Sequence, residues 1–242
     1  MKPPTGEWDA SWESQLSVAP PGLDAATLEN HIDAGKLAFL AGLLPDQGRA
    51  IEIGCGSARL LARVQHATGL DAYALDPSPQ AVRLAGRTAA ALGTPMRLLR
   101  GDAYQLPFPD GASAMVLSGG LLEHFDDPRP VMAEMVRVLR PGGTFYADVV
   151  PRKLSLYRVR ELPRMMRSSA LMEGVDESAH GPAHYRRVLM ELGCEPVRIR
   201  SAGVYPPGTG AGWARRTARL DGTPFADWLG WYFMMGARRT GS

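Results

Sequence analysis

Apolar positions between residues 49 and 193 fall into two alternating patterns. Short apolar runs bounded by glycine, proline or aspartate give way to stretches with apolar residues three and four positions apart. These are the periods of strands and of amphipathic helices. Residues 49–53 predict a first strand stopped by Gly54-Cys55-Gly56, and Ser57 opens a helix whose apolar face is Leu60, Leu61 and Val64. Residues 72–75 predict a second strand ending at Asp76-Pro77. Ser78 then serves as N-cap, with Pro79 at the first helical position and Gly93 as the stop, each where helix ends prefer that residue type. Residues 96–100 predict a third strand closed by Gly101-Asp102, and residues 113–118 a fourth. The fourth carries the continuous run Ala114-Met115-Val116-Leu117, expected of a strand buried on both faces. Asp127-Pro128 starts a helix with Val131, Met132, Met135, Val136 and Leu139 inward, and Pro141-Gly142-Gly143 ends it. Residues 144–150 predict a fifth strand, and residues 182–192 a helix terminated by Gly193.

After Gly193 the rhythm changes. Residues 196–204 and 230–236 both read as strands, with a Gly/Pro-rich stretch and a short helical pattern between them. Without a long crossover helix they form an antiparallel pair. The predicted fold is therefore α/β: a single doubly wound, seven-stranded, mostly parallel sheet with an antiparallel C-terminal strand pair and a helical cap. Residues 1–45 are expected as an N-terminal cap, helical over 23–44, and residues 46–150 as the ligand-binding core. Residues 182–242 complete the sheet. Residues 151–181 exceed an ordinary strand–helix connection. With Leu154, Leu156, Tyr157, Leu162, Met165, Met166, Leu171 and Met172, they read as a lid over an apolar or aromatic acceptor. Packing of the same residues against the sheet is the alternative. Trp8 and Trp12 either fold over the site or pin the N-terminus, and Trp228, Trp231 and Tyr232 read as core or as a subunit contact that would make a homodimer.

Composition narrows the partners. A formal charge of +2 and scattered arginine pairs argue against a nucleic-acid footprint, which is a clustered basic patch. Cys55 and Cys194 build no disulfide framework, no stretch approaches a membrane span, and residues 1–9 lack the apolar run of a secretory signal. A cytoplasmic protein acting on a small molecule is expected.

In open α/β sheets ligands bind beyond the carboxyl ends of the strands. Three acids stand at or next to such stations: Glu52 within the first strand, Asp76 after the second and Asp102 after the third. Gly54 and Gly56 allow a tight turn and close approach of a ligand to the backbone. A dinucleotide fingerprint would place a third glycine where Arg59 stands. Glu52 would oppose a diphosphate and suits a ligand bearing an ammonium or sulfonium. Asp76 is placed to accept hydrogen bonds from both hydroxyls of a ribose, and Asp102 from an adenine amine. His180 and His184 are spaced like a metal pair, but Pro182 intervenes and no third ligand is apparent, so no metal is expected.

The segment Ala50-Ile51-Glu52-Ile53-Gly54-Cys55-Gly56-Ser57-Ala58 resembles the first motif of the class I S-adenosylmethionine-dependent methyltransferases. Within that family it is similar to the small-molecule group that includes the ubiquinone and menaquinone C-methylating enzymes. Leu75-Asp76-Pro77-Ser78, residues 101–110, Leu122-Glu123-His124-Phe125 and residues 137–143 resemble later segments in the same order. The resemblance implies S-adenosyl-L-methionine as cofactor. It assigns the methionine moiety to the Gly54-Cys55-Gly56 backbone supported by Glu52, and to Ser118 and Gly119. Ribose falls to Asp76, with Pro77 beside it, and adenine to Asp102 and Ala103. Transfer to an oxygen, nitrogen or carbon nucleophile is the expected activity, with His124 as candidate general base. Two alternatives stand beside it: a catalytically silent S-adenosylmethionine-binding module, and a nicotinamide-dependent oxidoreductase, which Arg59 and Glu52 oppose.

Overall fold

A computed structural model describes residues 9, 12–16, 22, 26–153, 155, 177–205 and 210–241. Within them helix α1 (Leu28–Leu40) precedes the alternation β1 (Arg49–Ile53), α2 (Arg59–Thr68), β2 (Asp71–Asp76), α3 (Pro79–Leu92) and β3 (Met96–Arg100). β4 (Ser113–Gly119), a 3-10 turn at Leu122–His124, α4 (Arg129–Val138), β5 (Leu139–Val149) and α5 (Pro182–Glu191) follow. The chain ends with β6 (Arg198–Ala202), two short helices α6 (Ala211–Thr217) and α7 (Pro224–Leu229), and β7 (Tyr232–Arg238). Leu154 and residues 156–176, where the expected lid falls, lie outside the described residues, as does Trp8.

The seven strands form one sheet in the order β3-β2-β1-β4-β5-β7-β6. β1 to β5 run parallel, and β7 pairs antiparallel with both β5 and β6. Helices cover both faces, as a parallel sheet requires. Strand periodicity sorts side chains between the two cores. Ile51, Ile53, Val116, Phe145 and Ala147 pack with Val131, Met132 and Met135 of α4 and with Tyr185 and Val188 of α5. Ala50, Met115, Leu117 and Tyr146 face the opposite way, toward Leu40 of α1, Leu60, Leu61 and Val64 of α2, and Ala85 of α3. Glu52 and Asp148 share the parity of Ala50 and Tyr146, so they stand on the α1–α2 face. That parity decides the electrostatics of the site.

Helix α3 has the expected ends: the Ser78 side chain accepts the Ala81 N–H, Pro79 opens the helix, and Gly93 closes it at φ 62. The strands expected over 196–204 and 230–236 run Arg198–Ala202 and Tyr232–Arg238, and three further boundaries differ from expectation. Helix α1 is shorter than residues 23–44. Leu139 is the first residue of β5, paired with Ser113, rather than the last inward residue of α4. α2 is entered through Ala58 at φ 53, and no side chain of its N-cap closes it; Glu52 takes that part from β1, as described below. No described helix is long and apolar enough to cross a membrane.

Candidate functional site

A cleft of about 800 Å³ opens where β1 to β4 end, between the glycine turn, α1 and the 3-10 turn, within the usual range for small-molecule sites. Of the residues singled out from sequence, Glu52, Gly54, Cys55, Gly56, Asp76, Pro77, Asp102, Ala103, Gly119 and His124 line it. Ser118 does not. Its side chain is fully buried, and its hydroxyl has no hydrogen-bond partner among the described residues.

Gly54 and Gly56 both adopt positive φ, at 62 and 48°. A Cβ on Gly54 would stand 2.7 Å from Leu121, and one on Gly56 would stand 2.7 Å from the Trp12 ring. Neither position has room for a side chain. Two of the turn's donors are used: the Cys55 N–H bonds to the Leu75 carbonyl at 3.0 Å, and the Gly56 N–H to Asp76 Oδ2 at 3.0 Å. A diphosphate needs such donors unpaired. These two N–H groups are therefore closed to a diphosphate.

Asp76 is held twice, its other oxygen accepting the Ser78 N–H at 2.9 Å. Burial raises its pKa, and the two N–H bonds work against that. A carboxylate so fixed keeps lone pairs for further donors. Glu52 accepts the Leu61 N–H at 3.3 Å, an unpaired donor in the first turn of α2, and so supplies the cap that Ala58 cannot. Burial pushes Glu52 up to about 8, although Lys36 and the Leu61 bond pull it down. Asp102 is half-buried and accepts the Tyr104 N–H at 3.0 Å, an Asx turn at the mouth of β3. Cys55 is buried, and burial together with Asp76 and Glu52 holds its thiol protonated.

The other end of the cleft was not read from the sequence. Lys36, on α1, reaches the sheet and pairs with Asp148 of β5 at 2.9 Å, and the Tyr146 hydroxyl donates to the other Asp148 oxygen at 3.1 Å. Gly119 leaves the space: a Cβ there would stand 3.3 Å from Asp148 Oδ2 and 3.6 Å from Lys36 Nζ. Burial disfavours the Lys36 ammonium, but Asp148, Asp33 and Glu52 outweigh it and leave its pKa raised. Asp33 binds Arg59 at 3.1 Å, and both Arg59 and Arg63 donate to Asn30 Oδ1. Glu123 accepts the Val150 N–H at 3.3 Å, and burial pushes it up to about 8. Its second oxygen is buried with no hydrogen-bond partner among the described residues. Trp12 and Trp231 also line the cleft, while Trp228 is exposed. Trp231 is therefore a wall of the site, and Trp228 is not core. His180 and His184 stack with ring centroids 3.9 Å apart at the start of α5.

Residues 51–147 match a family model described as a methyltransferase domain. This stretch belongs to the class I S-adenosylmethionine-dependent methyltransferases. S-adenosylmethionine is that family's cofactor, and the paired donors of the glycine turn and the acids around it fit it. Among curated relatives, a demethylmenaquinone methyltransferase of Thermus thermophilus is 35% identical over 96 residues, covering 39% of this chain and 44% of the relative. A 27-O-demethylrifamycin SV methyltransferase of Amycolatopsis mediterranei is 28% identical over 76% of this chain and 66% of its own length. The chain spans less than half the length of the first curated relatives it matches. Among solved structures, a geranyl diphosphate C-methyltransferase of Streptomyces coelicolor A3(2), with S-adenosyl-L-homocysteine bound, superposes with a TM-score of 0.61. It is 15% identical over 98% of both chains, a likeness of fold.

Proposed function

We propose that this chain transfers a methyl group from S-adenosylmethionine to an oxygen, nitrogen or carbon nucleophile of a small apolar or aromatic metabolite. The observation that carries the reading is the convergence of Glu52, Asp76 and Asp102, from three adjacent strands, on one cleft. Asp76, oriented by the Gly56 and Ser78 N–H groups, takes the ribose hydroxyls. Asp102, Ala103 and Pro77 take the adenine side. The backbone of Gly54-Cys55-Gly56 and Gly119 holds the methionine portion, with Glu52 facing its ammonium. Residues 1–45 are the proposed cap of this end, and residues 151–181, largely outside the described residues, the proposed lid over the acceptor.

When bound, the cofactor supplies a methyl group already activated by a sulfonium. The residues of this chain align the acceptor with that methyl, and alignment of this kind is worth on the order of 7–11 kcal/mol. Leu121, Tyr104 and Phe125 on the cleft wall exclude water, which favours a step in which charge is lost. For a hydroxyl or amine acceptor, His124 on the same wall receives the proton as the new bond forms.

Calorimetry with S-adenosylmethionine, S-adenosylhomocysteine and NAD, followed by a metabolite screen with labelled cofactor, tests the reading. Binding of the two adenosyl ligands and labelled product are expected. Binding of NAD alone would replace the reading by an oxidoreductase. Cofactor binding with no turnover in any extract would leave a silent binding module.

A further inference from the structure

Along the sheet, the order β3-β2-β1-β4 is also the order of the cofactor's parts in the site proposed above: adenine at Asp102, ribose at Asp76, methionine at the glycine turn and Gly119. The acceptor has to meet the methyl group from the side away from the adenosine, which is the side of β5. What that side presents to the cleft is Lys36. Asp148 of β5 is buried, and both its oxygens are engaged, one by the Lys36 ammonium at 2.9 Å and the other by the Tyr146 hydroxyl at 3.1 Å. An ammonium has three donors, and the bond to Asp148 uses one. Burial works against the charge on Lys36, but Asp148, Asp33 and Glu52 outweigh it and keep the ammonium protonated. Asp33 itself pairs with Arg59 and Arg63, which leaves Lys36 to Asp148 and to whatever enters the cleft.

A fixed ammonium with donors to spare repels a protonated amine and gives a carbon nucleophile nothing to bind. It suits an ionised oxygen, through charge-assisted hydrogen bonds. We infer that the acceptor carries an acidic hydroxyl, that of a phenol, enol or carboxylic acid, which Lys36 binds as its anion for attack on the methyl group. The inference rests on the cofactor site proposed above and selects oxygen among its three nucleophiles. The hydroxyl proton passes to solvent as the anion binds. An oxygen lone pair then forms the O–CH3 bond while the S–CH3 bond breaks and its electron pair stays on sulfur. Anion and sulfonium become a neutral ether or ester and a thioether, and Lys36 keeps its proton throughout.

The probe is 4-nitrophenol, whose ionised form is coloured, with its methyl ether 4-nitroanisole as the neutral control. Both are titrated into the full chain loaded with S-adenosylhomocysteine, for the parent, Lys36→Met and Asp148→Asn, with thermal midpoints to verify folding. The parent binds the nitrophenolate more tightly than the ether, and the bound phenol ionises at lower pH than the free one. In Lys36→Met, nitrophenolate affinity falls at least about tenfold, the ether is unaffected and the ionisation shift disappears. Asp148→Asn leaves the Lys36 charge unanswered, so nitrophenolate binds several-fold more tightly. Equal affinity of the parent for the two probes, or nitrophenolate binding unchanged in Lys36→Met, would overturn the inference while leaving the cofactor reading standing. So would a Lys36→Met chain that loses affinity for S-adenosylhomocysteine but not for 5′-methylthioadenosine, which lacks the amino-acid end; Lys36 would then serve the cofactor's carboxylate. A parent that does not bind S-adenosylhomocysteine removes the cofactor reading and this inference with it. If Lys36→Met does not fold, Asp148→Asn decides: nitrophenolate binding equal to or weaker than the parent's overturns the inference.

Discussion

The two halves of the cleft are built by different means. Around β1, β2 and β3, each acid is held by backbone N–H groups from two to twenty residues away: Glu52 by Leu61, Asp76 by Ser78 and Gly56, Asp102 by Tyr104. Around β4 and β5, side chains hold one another across long separations, as in Lys36 with Asp148, 112 residues apart. The first kind of site is assembled by strand–turn–helix units and needs little from the rest of the fold. The second exists only once α1 has docked. Backbone donors fix a carboxylate without adding a charge, whereas a buried ion pair commits both partners to each other.

The largest expected effect breaks the second half. Lys36→Met leaves Asp148 buried beside Tyr146 without its cation, and should cost about 3–5 kcal/mol of stability, read from urea unfolding. The double variant Lys36→Met, Asp148→Leu should recover part of that loss. If Lys36→Met alone is neutral, α1 is not held by this pair.

A smaller effect concerns Glu123, whose carboxyl burial lifts from 4.5 to about 8. Between those two values the folded chain keeps a proton that the unfolded chain has released. Stability therefore falls as pH rises through this window, and Glu52 adds a decline of the same sign. Glu123→Gln should match the parent near pH 5 and exceed it by a few kcal/mol, in order of magnitude, near pH 8. Urea midpoints at the two pH values measure this, and an unchanged pH slope would contradict it.

The first half is tested by affinity. Asp76→Ala should weaken S-adenosylmethionine binding by about 1.5–3 kcal/mol, as for a lost hydrogen bond to a charged group. Asp102→Ala should cost less, about 1 kcal/mol, because half-exposed Asp102 competes with water. Equal effects would mean that the ribose is not the better-held part of the ligand. The smallest effect belongs to Arg83→Ala, which removes an ion pair with Glu13 whose side chains are both more than half exposed. It should change stability by less than about 1 kcal/mol, measured at low and high salt.

The strand ends and their acids were legible because their signals are local. Ser78, Pro79 and Gly93 mark α3 from within its own turns, and Asp76 follows β2 by chain order alone. The start of β5 was not: Leu139 continues the apolar spacing of α4, and only its pairing with Ser113 makes it a strand residue. The entry to α2 misled in the same way. Ser57 has the right chemistry for a cap, but the acid that bonds the first turn is Glu52, in the strand that leads into the helix. A signal for the second half was present in the alternation of β5. Asp148 shares a face with Tyr146, so a buried acid was implied, though not the cation that meets it.

The sequence by itself determined the order of strands and helices, the glycine turn and the placement of three acids at one rim, since periodicity, caps and turns act over a few residues. Only the tertiary structure decided that Lys36 meets Asp148, that Glu123 is shut away from water, and that Trp12 and Trp231 become walls. Sheet order places β1 beside β4 and β4 beside β5, and a charge or ring brought there from distant chain is set by what it must neutralise or cover, which local spacing does not encode.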